Sequence, residues 1–217
     1  FHDPLTSLPN RNLFMERLER LIEHVKRDKS SSFSVLFLDL DRFKIINDSL
    51  GHLSGDKLLI LIAKKLTECL RKADTVSRFG GDEFAILLHS VDDAFNANFV
   101  AERILEDLKK PFIVNGHKIV ISASIGIVLK GELYNSPEDI LRDADTVMYQ
   151  AKTLGKARYA IFNREMHDTA MNFLQLENDL RHAIERSELV IYYQPIVSLA
   201  NAEIVAIEAL ARWQHPQ

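Results

Sequence analysis

RFGGDEFAIL, residues 78–87, places two glycines and two acids directly before an apolar run. The flanking segments, TVSRF (75–79) and FAILL (84–88), are rich in the β-branched, aromatic and aliphatic residues that are typical of strands. Two short strands joined by a glycine-containing loop predict a β-hairpin, with Asp82 and Glu83 at its turn. A solvated turn would account for these residues as well as a catalytic one, so the rest of the chain must decide between them.

Hydrophobic spacing over residues 1–163 predicts alternating helices and strands. The expected helices are 13–29, a short one after Asp39, 53–70 with a cap at Ser54, 93–110 and 136–154; the expected strands are 33–40, the two of the hairpin, 117–130 and 158–162. From residue 33 the order is β-α-β-β-α-β followed by α-β. This order predicts an α/β (α+β) class, with a ferredoxin-like, antiparallel-containing central sheet flanked by helices. The hairpin would lie in the centre of that sheet, beside strand 33–40, and Asp39 would come close to Asp82.

The composition is that of an ordinary globular chain, with 47% hydrophobic and 27% charged residues. A net charge of −4 gives no basis for a nucleic-acid partner, which usually requires a basic surface. The single cysteine, Cys69, excludes an internal disulfide and fits a reducing compartment. No apolar run approaches the ~20 residues of a membrane helix, and no signal peptide is recognisable. We therefore expect a cytoplasmic, soluble piece of a longer protein, without a membrane segment.

Asp39 closes the apolar strand FSVLFLDL (33–40), where an unpaired buried charge would be costly. With Asp82 and Glu83 on the neighbouring turn, two adjacent strand ends could supply carboxylates to Mg²⁺, which prefers hard oxygen ligands and substrate phosphates. For either position alone, a strand-end cap or a solvated acidic turn is the simpler explanation.

The segment after Asp39 adds features of a nucleotide site. A tight turn leads into a short helix, whose N–H groups could bind phosphate together with Lys44. Asn47 and Asp56 stand on either side of a break that contains Gly51. A carboxylate can accept the N1–H and N2–H groups of guanine together, whereas adenine would leave it unpaired. Loop capping is the alternative role for each residue alone, but together with the metal acids they indicate a GTP site.

With DPLTSLPNR (3–11) and FLDLDRFKIINDSLGHLSGD (37–56), the GGDEF sequence at 80–84 resembles the GGDEF family of diguanylate cyclases over residues 1–163. The resemblance implies a fold related to the nucleotidyl-cyclase and polymerase palm sheets. It also implies a reaction that joins two GTP molecules into cyclic di-GMP and releases two pyrophosphates. Because one such domain binds one GTP, catalysis would require a homodimer with its two sites face to face.

The same resemblance assigns roles to single positions. Asp39 and Asp82 would bind Mg²⁺ or Mn²⁺ with the Leu40 carbonyl, and Glu83 would support the metal or help to deprotonate the attacking hydroxyl. The implied substrate-binding positions are Lys44, Asn47, His52, Asp56, Gly80, Gly81, Lys152 and Lys156, with Asn47 and Asp56 on guanine and the lysines on the triphosphate. The glycines let phosphates approach the backbone, where a Cβ would interfere. Lys156 departs from the arginine frequent in the family and lacks its bidentate fork.

RKAD (71–74) precedes the signature at the offset of the family's product-inhibition site. An Arg-x-x-Asp sequence alone is more often an ion pair at a helix end. The resemblance implies that Arg71 binds a phosphate or guanine of cyclic di-GMP and that Asp74 binds the base.

After residue 163 the composition changes. Residues 164–187 predict a polar connector helix, and 188–217 predict two further strands. YYQPIVSL and IVAIEALARW resemble the first strands of an EAL domain, a family of cyclic di-GMP phosphodiesterases. The resemblance implies that Glu208 is a metal ligand and that Gln194 and Arg212 lie near the nucleotide. Because such a barrel takes roughly 250 residues, we expect these strands alone not to hydrolyse cyclic di-GMP.

Three functions compete at this point. The first is an active diguanylate cyclase. The second is a GTP-binding module, weak in catalysis, that regulates an attached phosphodiesterase. The third is a purely structural dimerisation domain, which does not account for so many aligned polar positions.

Overall fold

The computed structural model describes residues 1–28, 31–89, 94–129, 134–162, 179–180, 183 and 186–214. The chain divides into two compact units, Phe1–His167 and Asp168–Gln217. Each unit has its own sheet or sheets, and each is described separately below.

The first unit contains five helices and seven strands among the described residues. The helices are α1 (Arg11–Arg27), α2 (Phe43–Leu50), α3 (His52–Glu68), α4 (Ala94–Leu108) and α5 (Pro137–Thr153). The strands are β1 (Phe33–Leu40), β2 (Thr75–Gly80), β3 (Glu83–His89), β4 (Phe112–Val114), β5 (His117–Ile119), β6 (Ala123–Leu129) and β7 (Tyr159–Ile161). These elements confirm the mixed class and the hairpin expected from the sequence.

The main sheet has five strands in the order β2-β3-β1-β6-β7. The strand β1 pairs antiparallel with β3 and β6, and β7 adds in parallel to β6. The predicted adjacency is confirmed, because Asp39 stands opposite Glu83 in the register of β1 and β3. The expected central position of the whole hairpin is wrong: β1 is the middle strand, and β2 lies at the sheet edge.

Both faces of β1 are buried, which explains why its sequence is continuously apolar. Because side chains alternate along a strand, Leu36, Leu38 and Leu40 join the core beneath α3 and α4. Phe33, Val35 and Phe37 join a second core with α1 and α5 on the other face. The last residues of β1 therefore end a strand that is covered on both faces.

The helix α5 packs very closely on the sheet. A Cβ added to Gly126 of β6 would lie 2.0 Å from the Ala144 carbonyl oxygen. Ser136 caps this helix by accepting the Asp139 backbone N–H at 3.2 Å, close to the helix start expected from the sequence. The close approach fixes α5, and hence Lys152 in its last turn, against the sheet.

Two local expectations are wrong. The cap position of α3 is Gly51, with φ of +81°, whereas Ser54 is buried in the first turn and accepts a hydrogen bond from the Asn115 amide. The expected strand 117–130 is interrupted at residues 120–122, and its first part pairs as β5 with β4 in a separate hairpin. Asn115 and Gly116 have positive φ and form the tight turn of that hairpin.

The second unit contains the antiparallel pair β8 (Leu189–Val197) and β9 (Ile204–Trp213). Both expected strands are confirmed, and most of their large apolar side chains are exposed. The expected connector helix, 164–187, lies largely outside the described residues. Among the helices that the structure describes, none has both the length and the apolarity needed to cross a bilayer.

Candidate functional site

The first part of the site is the end of β1 against the turn of the β2–β3 hairpin. Asp39 is 8% exposed, and its register partner is Glu83. The backbone N–H of Leu40 donates to the Asp82 carbonyl at 3.2 Å. The pairing of β1 with the hairpin thus brings all three expected acids together at the end of β1, although they come from two segments more than forty positions apart in the chain.

Lys152 completes this cluster from α5. Its Nζ lies 2.8 Å from Oδ2 of Asp39, and both side chains are largely shielded from solvent. Sequence resemblance implied that Lys152 faces the triphosphate, whereas here its ammonium group occupies a cation position at the expected metal-binding carboxylate. This carboxylate is therefore oriented to accept a positive charge.

The acids are electrostatically crowded. Burial raises the pKa of Asp39, and the charges of Asp82 and Asp41 add to this effect, while Lys152 opposes it. Burial likewise raises the pKa of Glu83, followed by the charges of Asp39, Asp145 and Asp82. Since one ammonium does not balance this negative charge, a divalent cation would relieve the repulsion.

Asp145 is a member of this electrostatic cluster that sequence reasoning missed. It lies on α5, two helical turns before Lys152, and therefore on the same side of the helix. That spacing was a usable signal. Its charge reaches Glu83 and raises the pKa of that residue.

The donor set fits Mg²⁺ or Mn²⁺. Within the described part of the chain, no group of three or more His, Cys, Asp or Glu side chains is arranged as a ready metal cage. Mg²⁺ is commonly bound by one or two carboxylates together with substrate phosphates and water. Asp39, Asp82 and the Leu40 carbonyl would hold it, with Glu83 beside them.

The glycine turn is anchored by Arg78, a residue whose role the sequence did not reveal. Its guanidinium donates to the Gly81 carbonyl from Nε at 3.2 Å and from Nη2 at 2.8 Å. Nη1 of the same group lies 3.1 and 3.0 Å from the two carboxylate oxygens of Asp3. The N-terminal segment thus holds the backbone directly before Asp82, in an ion pair whose side chains are only 10% and 14% exposed.

Hydrogen bonding keeps Asp3 ionised in this arrangement. Burial alone would raise the pKa of Asp3, but bonds from the Thr6 hydroxyl and N–H and from Arg78 outweigh burial and lower it. The wide turn at residues 3–9 is also bonded to β2, because the Arg78 N–H donates to the Pro9 carbonyl at 3.0 Å.

The two expected guanine positions lie on adjacent helices. Asn47 is on α2, Asp56 is in the first part of α3, and Gly51 makes the break between them. A Cβ at Gly55 would lie 1.9 Å from Oδ1 of Asn47. This oxygen is buried and has no hydrogen-bond partner within the described residues. A buried acceptor without a partner is costly, and the missing Cβ of Gly55 is what lets the Asn47 amide lie against α3.

The remaining expected substrate-binding residues lie on α2 and α3, in the hairpin turn and after α5. Lys44 and His52 are exposed on α2 and α3, and Gly80 and Gly81 form the hairpin turn with φ of +149° and +49°. Lys156 follows α5 with φ of +64°. Of all the expected substrate-binding side chains, only Lys152 is in direct contact with an expected metal-binding acid.

Asp41 fixes the loop that carries Lys156. Its carboxylate accepts from the hydroxyls of Ser122 at 2.6 Å and Ser124 at 2.7 Å, and from the Ala157 N–H at 3.0 Å. Sequence reasoning did not single out Asp41, because its partners are more than eighty positions away. A second acid two residues after Asp39, directly after an otherwise apolar strand, was the available signal.

Arg71 and Asp74 form a turn at the far end of β2 and β3 from the glycine turn. The Asp74 carboxylate accepts the Arg71 N–H at 3.0 Å and the His89 N–H at 3.2 Å. The Arg71 side chain is exposed. Asp74 is therefore partly engaged in holding the turn, and the guanidinium is available.

In the second unit, Gln194 stands opposite Glu208 in the β8–β9 register, and Arg212 stands opposite Val190. All three expected positions are exposed.

The chain is similar to known proteins along nearly its whole length. A family model described as "Diguanylate cyclase, GGDEF domain" matches residues 1–158, and the EAL domain model matches residues 177–217. The bifunctional diguanylate cyclase/cyclic di-GMP phosphodiesterase MucR of Pseudomonas aeruginosa is 43% identical over 216 residues, covering 100% of this chain and 31% of MucR. The cyclic di-GMP phosphodiesterase NbdA of the same organism is 38% identical, covering 99% of this chain and 27% of NbdA.

A solved structure of TpbB (YfiN) from Pseudomonas aeruginosa, comprising only the GGDEF domain, is 38% identical to this chain. It matches with a TM-score of 0.75, covering 79% of this chain and 99% of that one. The chain spans only about 30% of the length of the curated relatives named above.

Proposed function

Because this chain belongs to the GGDEF family of diguanylate cyclase domains, we propose that residues 1–163 condense two GTP molecules into cyclic di-GMP and two pyrophosphates. The observation that carries the proposal is the convergence of Asp39, Asp82 and Glu83 beside Lys152. We further propose that 164–187 connects this domain to the start of an EAL domain at 188–217, and that the protein acts in the cytoplasm.

Guanine recognition is the first task of the site. Asp56 would accept the two neighbouring N–H groups of the base, and Asn47 would pair with its other edge groups. The placement of Asn47 on α2 and Asp56 on α3, on either side of the break at Gly51, supports this role. A site built from such acceptors discriminates against adenine because adenine would leave them unpaired.

Placing the triphosphate is the second task. Lys44, Lys152 and Lys156 would neutralise the phosphates, while Gly80 and Gly81 leave the backbone open to them. When bound, Mg²⁺ or Mn²⁺ stabilises charge on the phosphoryl oxygens and eases loss of the hydroxyl proton. Glu83 would support the cation or assist in removing that proton.

Two copies are required, since each 3′-hydroxyl attacks the α-phosphorus of the other nucleotide. We therefore propose a homodimer with the two glycine turns facing each other. Specific activity should fall on dilution as a weak dimer dissociates. Specific activity that is constant over a hundredfold dilution, to concentrations at which light scattering shows only monomer, would contradict this arrangement.

Product inhibition is assigned to the turn at 71–74. The exposed Arg71 side chain would bind a phosphate or guanine of cyclic di-GMP, and Asp74 would bind the base. This turn adjoins the first residue of β2, so a bound ligand would act through the hairpin that carries the catalytic turn.

The second candidate is a GTP-binding module that controls an attached phosphodiesterase. It is favoured by one observation: NbdA, 38% identical over nearly all of this chain, is named only as a phosphodiesterase. In that case GTP would bind without being consumed.

The deciding experiment is incubation of the protein with GTP and Mg²⁺, followed by chromatography for cyclic di-GMP. Asp82→Ala should abolish product formation without unfolding the domain, while Glu19→Ala, a change at an exposed carboxylate on α1, should leave it intact. GTP binding without product at high protein concentration would favour the regulatory module. Full activity in Asp82→Ala would overturn the metal assignment.

A further inference from the structure

A separate cleft of about 450 Å³ opens beside the proposed phosphate positions. Its walls come from the start of α2, residues 120–122 before β6, the end of α4, and the loop after α5. Ile45 and Ile46 form the α2 wall, whereas Asn47 of the same helix abuts Gly55 of α3. The cleft and the guanine positions are therefore on different sides of α2.

Among the described residues that line this cleft, three carry a cationic side chain: Arg42, Lys109 and Lys156. Arg42 and Lys156 form no ion pair within the described residues, and Lys109 is paired with Glu106 at 2.5 Å on an exposed surface. Exposed pairs of this kind contribute little to stability, so Lys109 can exchange Glu106 for a ligand.

Asp41, the one acid among the described lining residues, does not neutralise these cations fully. Both oxygens of Asp41 are already engaged by serine hydroxyls and a backbone N–H. Ile45 and Val120 are 58% and 65% exposed and present apolar surface. The lining thus offers several positive charges among apolar walls, which favours a small, highly charged anion.

The position of the cleft narrows the choice of anion. Lys156 belongs both to this lining and to the proposed triphosphate positions. Arg42 follows directly after Asp41, at the end of the strand that carries Asp39. In the proposed dimer, the 3′-hydroxyl of the second nucleotide would attack the α-phosphorus from one side, so pyrophosphate would depart on the opposite side.

We propose that Arg42, Lys109 and Lys156 form a pyrophosphate-binding cleft that receives the leaving group of the condensation. The inference rests on the proposed function. Arg42 and Lys109 hold no role in guanine or metal binding. Their charges lower the free energy of pyrophosphate after it separates from the nucleotide, and the remaining triphosphate positions are then free for the next GTP.

The test is calorimetric titration of inorganic pyrophosphate into the wild-type protein, Arg42→Gln and Lys109→Gln. Each variant should bind roughly fivefold more weakly, as expected for loss of about 1 kcal/mol from a partly exposed charge contact. Lys110→Gln is the matched control, because Lys110 is paired with Asp107 and does not line the cleft. Sulfate at equal ionic strength should not displace pyrophosphate.

Equal affinity in Lys109→Gln and Lys110→Gln, or displacement by sulfate, would overturn the cleft assignment. This binding experiment does not require turnover. Its result can therefore be interpreted even if the protein makes no cyclic di-GMP. In an active protein, Lys109→Gln should raise the inhibition constant for pyrophosphate with little change in KM for GTP. An equal rise in both would mean that the cleft holds the substrate and would overturn its assignment to the product.

Discussion

Lys152 and Asp39 form an ion pair, with 2.8 Å between Nζ and Oδ2, so a residue expected on the triphosphate instead contacts one expected on the metal. Any divalent cation that binds Asp39 must share or replace this lysine. The released ammonium would then be free to contact phosphate. Metal binding and triphosphate binding are thereby linked through one side chain.

Lys152→Met should therefore lower the free energy of unfolding and, at the same time, increase the stabilisation that Mg²⁺ produces. Without its ammonium partner, the crowded Asp39 carboxylate loses a charged hydrogen bond, and the free energy of unfolding should fall by about 2 kcal/mol. Mg²⁺ should then restore more stability than in the wild type, because it no longer competes with a lysine. Thermal denaturation with and without Mg²⁺, in the absence of GTP, measures both effects.

Lys156→Met is the control for that experiment, since Lys156 has no ion-pair partner within the described residues. It should lower GTP affinity and leave the Mg²⁺ response unchanged. An identical Mg²⁺ shift in wild type and Lys152→Met would show that the metal does not bind at Asp39.

The succession of the main strands along the chain could be predicted from local patterns, and the meeting of Asp39 with the hairpin acids from the ferredoxin-like order of elements. The place of the hairpin within the sheet could not. Two features can be recognised from the residues themselves. One is an apolar strand that ends in an acid, and the other is a glycine turn between two apolar strands. The β4–β5 hairpin could not be separated from β6, since HKIVISASIGIVLK has no clear break in its apolar pattern.

The contacts that hold the site in place could not be predicted from the sequence, for a different reason. Arg78 binds Asp3 across seventy-five positions, and Asp41 binds Ser124 across eighty-three. Such pairs have no periodic signature, so only the fold reveals them. Ser54 shows the opposite case, in which a local signal was misleading. Serine is a favourable capping residue and lies near the start of α3, but the cap position is Gly51, with its positive φ.

Asp3→Asn should disturb the glycine turn from a distance. It removes one charge of a largely buried ion pair, which costs about 3 kcal/mol of unfolding free energy. It also removes the charge that holds the Arg78 guanidinium in place, so that the Gly81 carbonyl bound to this guanidinium can shift. Turnover should fall roughly tenfold, since small displacements of reacting groups are costly, while GTP affinity changes little. Denaturant titration and steady-state kinetics measure the two effects.

The pH dependence of the Asp3 effect has a defined sign. Because the pKa of Asp3 is lowered by folding, the ion pair stabilises the protein above the ordinary carboxyl range and is lost as the pH falls through the folded pKa. The stability difference between wild type and Asp3→Asn should shrink in acid. Arg27→Gln, in the exposed Glu23–Arg27 pair, is the control and should change little; equal losses in the two variants would contradict the special role of Asp3.

Gly55→Ala should act on nucleotide selectivity rather than on folding. Alanine improves helix propensity by about 1 kcal/mol, but its Cβ would lie 1.9 Å from Oδ1 of Asn47. The amide must therefore move, and we expect GTP to bind roughly tenfold more weakly, with less discrimination against ATP. Competition binding with both nucleotides tests this. In a double-mutant cycle, Asn47→Ala should leave Gly55→Ala without further effect; additive losses would place Gly55 in a separate role.

Arg71→Ala and Asp74→Ala should have different consequences, because the two residues are engaged differently. The Arg71 side chain is exposed, so its loss should relieve inhibition by cyclic di-GMP and leave thermal stability unchanged.

Asp74 accepts two backbone N–H groups, so Asp74→Ala should relieve inhibition and also lower the free energy of unfolding by about 2 kcal/mol. Titration of cyclic di-GMP into the cyclase assay, together with thermal denaturation, measures both properties. Lys72→Ala, a neighbouring exposed cation, should affect neither. Wild-type inhibition in Arg71→Ala would contradict the assignment of product binding to the Arg71 side chain.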